Sequence, residues 1–318
     1  MTNIIGVPLA LFLSCLSIIL PWSLRVRMLA FLRKILDFIV LNFKFTENFI
    51  MRRTEKSRSV FLVDKNIMKK NDFFNDCKRE EVSVMFSGGS DSTLAAIKLI
   101  GKFKKVHLVT FYFWPIAGIR GAILTGEKLI TKYGRDKVQH KIFLIDDMFK
   151  DVYHKSLWKD FLKFKLFVEN ICAYCKLTML YRLLIFNIEN EIKYVASGSS
   201  YEGAPFFAEQ MPRGAEVVNE LFSKYGKIFF APVFHVRRTD HELYRLGFTK
   251  EKEKKFPAPD FDKYQVSCDL GVIHHIYCQG YFVPCHGLEK LADISCDFIK
   301  EKNKMFEYLR KKYSGEIK

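Results

Sequence analysis

From about residue 80 onward, short apolar runs alternate with longer stretches of helical period. Residues 82–86 (Val-Ser-Val-Met-Phe) form a brief apolar run closed by two glycines and read as a buried strand. A helix is expected over 91–100, a second strand over 106–113 and a second helix over 122–133. A third strand is expected over 142–145, ending in Asp146-Asp147, followed by helical patterns over 152–169 and 176–190. A fourth strand, 194–197, opens into Ser197-Gly198-Ser199-Ser200; a fifth is expected over 228–233, with a helix over 238–246 after it. Strands alternating with helices in this order predict an α/β fold with a doubly wound parallel sheet. Ligands of such sheets bind beyond the carboxyl ends of the strands, the edge on which the turns at 87–92 and 197–200 both fall.

Both ends of the chain depart from this rhythm. Residues 1–24 carry no charged side chain, and 4–24 is just long enough for a bilayer at about 1.5 Å per residue. Arg25, Arg27, Arg33 and Lys34 follow directly, and the positive-inside bias then leaves the bulk of the chain cytoplasmic, anchored to the inner face of the membrane. A stripe over 28–43 suits an interfacial helix. A core-packing hairpin, or a true start at Met28 or Met51, are the alternatives for this hydrophobic segment, 1–51. The body of the domain is expected over 58–250. Residues 250–265, with Pro257 and Pro259, read as a linker into a small cysteine-bearing region, 251–318, that closes with an amphipathic basic helix over 288–312.

Composition narrows the class. A chain of 318 residues, 49% hydrophobic, has ample material for a core. Lys and Arg outnumber Asp and Glu by 51 to 35, a net +16 that favours a polyanionic partner, nucleic acid or an anionic membrane surface, over a merely basic exterior.

The strongest chemical feature is Ser87-Gly88-Gly89-Ser90-Asp91-Ser92-Thr93. Two glycines let the backbone turn sharply and approach a ligand without a Cβ in the way. The backbone N–H groups of the following helix face that ligand, aided by the helix dipole, and the hydroxyls of Ser87, Ser90, Ser92 and Thr93 add donors. Asp91 is unfavourable beside phosphate, so it implies either Mg²⁺ or a structural cap. An ordinary strand–turn–helix junction is the alternative. The Gly-Lys-Ser/Thr ending of a Walker loop is absent, which argues against γ-phosphate transfer.

This string resembles the Ser-Gly-Gly-x-Asp-Ser signature of the PP-loop ATP pyrophosphatase superfamily, in its usual place after the first strand. That family includes tRNA thiolation enzymes, LarE-type sulfur transferases, 7-cyano-7-deazaguanine synthase and amide-forming synthetases. The resemblance implies a Rossmann-like domain that binds ATP and Mg²⁺ through Ser87–Thr93, with Ser197 and Gly198 closing over the adenosine. It implies adenylation of a substrate with release of pyrophosphate, then displacement of AMP by sulfur or nitrogen, with tRNA or a nucleobase-like small molecule as acceptor. Asp91 would be catalytic. The family's acid after the second turn has no obvious counterpart; Glu202 is the nearest. A non-catalytic, membrane-attached nucleotide-binding protein is the alternative from another class.

Of eight cysteines, Cys172 and Cys175 stand three apart where the spacing predicts the start of a helix, which would let them share a metal and lower their pKa. Cys268, Cys278, Cys285 and His286 suit tetrahedral Zn²⁺, though irregularly spaced. A Cys-x-x-Cys at this place resembles the tRNA thiolases, which implies a catalytic role for Cys172 and Cys175 and an iron–sulfur cluster completed by a distant third thiol, Cys268 by position. The zinc and cluster readings cannot both use Cys268. Cys15, Cys77 and Cys296 read as small buried residues, and His235, His274 and His275 as surface or core residues.

Overall fold

The central strand β1 (Glu81–Met85) pairs in parallel with β2 (Lys105–Tyr112) on one side and β4 (Tyr194–Ser197) on the other. With β3 (Val138–Leu144) beyond β2 and β5 (Ile228–Phe230) beyond β4, the computed structural model has an all-parallel five-stranded sheet of order β3-β2-β1-β4-β5. The structure describes residues 77–315 except 115, 117, 156, 165–166, 200–211, 235, 237 and 251–285.

Burial on both faces explains the near-continuous apolar strands. Val82 and Val84 of β1, with Phe86 just beyond its end, join one cluster with Val106, Leu108, Tyr194 and Ala196. The helices on that face are α1 (Ser90–Ile100), α2 (Arg120–Tyr133) and, after β5, α7 (Thr239–Arg245), through Leu94, Ala122, Leu129 and Leu243. Met85, Val109, Phe111 and Val195 point the other way. There they meet α3 (Asp146–Tyr153), α5 (Phe167–Glu189), α6 (Pro212–Ser223) and two C-terminal helices, α8 (Leu288–Asn303) and α9 (Phe306–Tyr313). A short α4 (Leu157–Phe164) lies between α3 and α5.

Three expectations are corrected. β3 begins at Val138, not 142, because an edge strand tolerates the polar run Gln139-His140-Lys141. The helical stretch after β3 is divided among three helices, α3 ending at Tyr153, α4 and α5, and α5 runs unbroken through Cys172 and Cys175. The last helix is two, α8 and α9, parted at Lys304-Met305.

The C-terminal pair is held by specific contacts as well as apolar ones. Phe298 packs edge-on against Tyr174 at 4.9 Å, and the Tyr181 hydroxyl donates to Asn303 Oδ1 at 3.1 Å. Lys302, nearly buried, pairs with the buried Asp160 of α4, which also accepts from the Tyr174 hydroxyl. The expected 1–51 segment and, beyond Lys250, the linker over 250–265 lie outside the described residues. Among the described residues, no helix is long and apolar enough to cross a membrane.

Candidate functional site

The order of strands reverses between β1 and β4, and the register there sets Met85 beside Ser197. Crossovers leave these two strands in opposite directions, which opens a crevice at their carboxyl ends. The two turns picked out in the sequence meet at this crevice.

Two glycines make the meeting possible. Gly88 has φ +73, in the left-handed region, and a Cβ there would stand 2.6 Å from Ala122 Cα and 2.8 Å from the Gly121 carbonyl oxygen. The first turn of α2 therefore closes directly on the loop. At Gly198 a Cβ would stand 2.6 Å from Ser92 N and 2.7 Å from Ser92 Cα, so the end of β4 lies against the first turn of α1. Both obstacles are backbone, which cannot swing aside as a side chain can.

The serines knit the loop together. Ser92 Oγ donates to Gly89 O at 3.2 Å, which commits its only proton. The 3.1 Å contact between Ser87 Oγ and Ser92 Oγ is then donated by Ser87. Ser87 N and Gly89 N donate to these oxygens at 3.3 and 3.4 Å. Ser87 and Ser92 thus spend both hydroxyl protons inside the loop, where the sequence reading had them facing phosphate.

The donors left for an anion belong mainly to the backbone. Thr93 N is the first N–H of α1 bonded back to the loop, to Gly89 O at 3.0 Å. The amides of Ser90, Asp91 and Ser92 precede it and have no carbonyl within their own helix. Gly89 is the N-cap and supplies no side-chain bond. Thr93 Oγ1 is buried without a hydrogen-bond partner. A glycine cradle, an uncapped helix start and an orphaned buried hydroxyl suit a phosphate group, which brings its own acceptor oxygens.

Asp91 has a partner from far along the chain. Thr239, first residue of α7, donates to Asp91 Oδ1 at 2.5 Å. Its predecessor Arg238 is held at φ +54, a left-handed conformation uncommon for a residue with a Cβ, and forms the N-cap of α7. Of the two roles expected for Asp91, cation contact or structural cap, this contact supplies a structural one. Across the crevice, Ser199 N donates to Ser197 Oγ at 3.1 Å, so the buried Ser197 hydroxyl shapes the second turn.

Cys172 and Cys175 lie in α5, five and eight residues beyond its first residue, Phe167. The dipole effect expected for them is corrected accordingly, since it fades beyond the first turn. One helical turn apart, they share a face and are half-buried. Asn187 fixes the height of α5 against the sheet by accepting from Ser83 Oγ at 2.9 Å. From Asn187 back to Cys175 the helix rises about 18 Å, and from Ser83 to Ser87 the strand advances about 13 Å, so Cys175 stands near the level of the loop. His286 is exposed, one residue ahead of the Gly287 N-cap of α8. Cys268, Cys278 and Cys285 fall outside the described residues, as does Glu202. Among the described residues, no three His, Cys, Asp or Glu side chains gather as metal ligands.

Sequence reasoning missed Thr110, His140 and Thr239, which brace the loop from behind and from the side. A threonine and a histidine facing a buried sheet surface were the only clue available.

No family model matches the chain. No curated protein matches it either. A solved structure described as a predicted subunit of a tRNA methyltransferase from Methanocaldococcus jannaschii aligns over 59% of this chain and 94% of its own, at 17% identity and a TM-score of 0.34. Similarity of that degree carries no functional conclusion.

Proposed function

We propose that this chain is an ATP-dependent enzyme that adenylates a substrate at the β1–β4 crevice and hands the activated group to a sulfur or nitrogen nucleophile. The observation that carries the reading is the paired close approach at Gly88 and Gly198. It gathers two glycine turns and one uncapped helix start at the switch point of a parallel sheet, an arrangement suited to a phosphate chain. In the reaction proposed, a substrate oxygen attacks the α-phosphorus of ATP and pyrophosphate leaves. The nucleophile then attacks the activated carbon, and AMP departs with the oxygen.

The roles proposed for this chain's residues follow from the geometry. The amides of Ser90, Asp91 and Ser92, with Thr93 Oγ1, hold the leaving pyrophosphate, neutralising charge as it develops. Ser87, Ser92 and Asp91 keep that cradle in shape, and Mg²⁺ would arrive with the triphosphate. Ser197 and Gly198 form the facing wall. Cys172 and Cys175 are proposed as the sulfur-handling pair that would hold an iron–sulfur cluster with Cys268; the alternative is Zn²⁺ on Cys268, Cys278, Cys285 and His286. The net charge of +16 favours tRNA as acceptor over a small nucleobase-like molecule. The segment over 1–51 is proposed as an anchor on the inner face of a membrane.

A second reading, nucleotide binding without catalysis, draws on Asp91, whose carboxylate is engaged by Thr239. Calorimetric titration with ATP, followed by ATP–pyrophosphate exchange with a tRNA pool and with small acids, separates the two. Binding together with acceptor-dependent exchange is expected. Binding without exchange for any acceptor favours the second reading, and absence of ATP binding removes both.

A further inference from the structure

The phosphate loop leaves the sheet at Phe86, and both polar groups of that residue are held by the neighbouring strand. Phe86 N donates to Val109 O at 2.8 Å, and Phe86 O accepts from the buried Thr110 hydroxyl at 2.7 Å. Thr110 Oγ1 also lies 2.8 Å from His140 Nε2, on the outermost strand β3. A threonine hydroxyl has one proton, and here it goes to Phe86. The proton between Thr110 and His140 must therefore sit on the imidazole, which makes His140 the Nε2–H tautomer. A directed chain results: His140 donates to Thr110, and Thr110 donates to Phe86, the residue just before Ser87.

His140 also touches the helix that covers the loop. A Cβ on Gly126 would fall 2.4 Å from His140 Nδ1, so the ring lies directly against the backbone of α2. One turn earlier, Ala122 of the same helix closes on Gly88. The ring meets Phe86 edge-on, with centroids 5.5 Å apart. One side chain on an edge strand thus braces both walls of the loop. An aliphatic residue at this position of a sheet would pack without the cost of burying a polar ring, so its polarity serves the bond it makes.

We propose that Thr110 and His140 are positioning residues for the phosphate loop, fixing the Phe86 carbonyl so that the backbone from Ser87 to Gly89 leaves the sheet in the direction an anion requires. This rests on the reading of the loop as a phosphate site. Neither residue touches the ligand; the chain runs through the sheet from β3 to β1.

Calorimetric titration of the full chain with inorganic pyrophosphate and with ATP tests it. The variants are Thr110→Val, Thr110→Ser, His140→Phe and His140→Gln, each checked for folding by urea melt. Thr110→Val and His140→Phe are expected to bind about tenfold more weakly, the scale of one hydrogen bond. Thr110→Ser keeps the hydroxyl and His140→Gln keeps an N–H donor, so both should stay within about threefold of the parent. Long-range ¹⁵N–¹H spectra should show His140 protonated at Nε2 in the parent and in Thr110→Ser. Folded Thr110→Val with unchanged affinity overturns the proposal, as does a Thr110→Ser as impaired as Thr110→Val. If Thr110→Val does not fold, the His140→Phe and His140→Gln pair decides by the same comparison. A parent protein that binds neither ligand instead overturns the phosphate-site reading, and this inference with it.

Discussion

Replacing Gly198 with alanine isolates the close approach on which the site depends. Gly198 carries no left-handed φ, so a side chain costs nothing there through backbone conformation. The whole penalty comes from contact: the new carbon would sit 2.6 Å from Ser92 N and 2.7 Å from Ser92 Cα. Ordinary separations are about 3.5 Å or more, so β4 and the start of α1 must part by close to 1 Å. Overpacking of this kind costs about 1–3 kcal/mol of stability. Binding should suffer further, since a misplacement of about 1 Å in a positioned site can cost on the order of a hundredfold. The control is Gly101→Ala, at a C-cap with φ −76 and nothing within 4 Å of the added carbon. Alanine there should be neutral or stabilise by about 0.4–1 kcal/mol through the unfolded chain. Urea denaturation of both variants, with ATP titration at a denaturant-free reference, reads the two effects separately. A Gly198→Ala protein as stable as Gly101→Ala, with parental ATP affinity, would refute the packing of β4 on α1 and the cradle built from it.

Gly88→Ala meets two obstacles, backbone at 2.6 Å and φ +73, and should lose about 2–4 kcal/mol in urea melts. Gly226→Ala shares the positive φ without the contact and should lose only about 1–2 kcal/mol. Burial pushes the His140 imidazole down to about 4. The unfolded chain therefore takes up that proton first as pH falls, and stability complete above about pH 6.5 is lost between there and about pH 4. Allowing for partial exposure, the loss should approach about 2 kcal/mol, and it should vanish from melts of His140→Gln across that range. Lys302→Met strips the buried Asp160 of its cation and should cost about 3–5 kcal/mol, with Asp160→Asn added to the same protein recovering part of it.

The elements most legible in the sequence were those bounded by glycine or by sharp changes of polarity. β1, β2 and β4 fall within a residue or two of their expected ends because each is a buried apolar run leading into a turn. The stretch over 146–190 contains neither glycine nor proline, so nothing in it marked the division into α3, α4 and α5. A boundary was placed instead at the cysteines, where α5 is continuous. β3 was expected only from 142, and of the polar residues left out, His140 bonds Thr110 and Lys141 lies over Phe186 at 5.0 Å. The two glycine turns were legible because their residue types have few other uses. The partners of those turns were not: Thr239 is 148 positions from Asp91, and His140 is 30 from Thr110. No local pattern records which strands become neighbours.

The contact between Asp91 and Thr239 changes what the loop's acid does. A carboxylate in the first turn of α1 favours the helix through its dipole but repels an incoming phosphate. With Oδ1 held by Thr239, the group is turned toward α7, and its repulsion of a phosphate is weakened by direction and by hydrogen bonding. Asp91 then couples the loop to the placement of α7 and to the strained Arg238 at its start. Thr239→Val should free the carboxylate to face the crevice. ATP binding would weaken, and added Mg²⁺ would recover more affinity in this variant than in the parent, because the cation would take over the screening that the hydroxyl supplied. Calorimetric titrations with and without Mg²⁺ measure that difference, and an identical Mg²⁺ dependence in both proteins would mean that Asp91 faces the ligand regardless of Thr239.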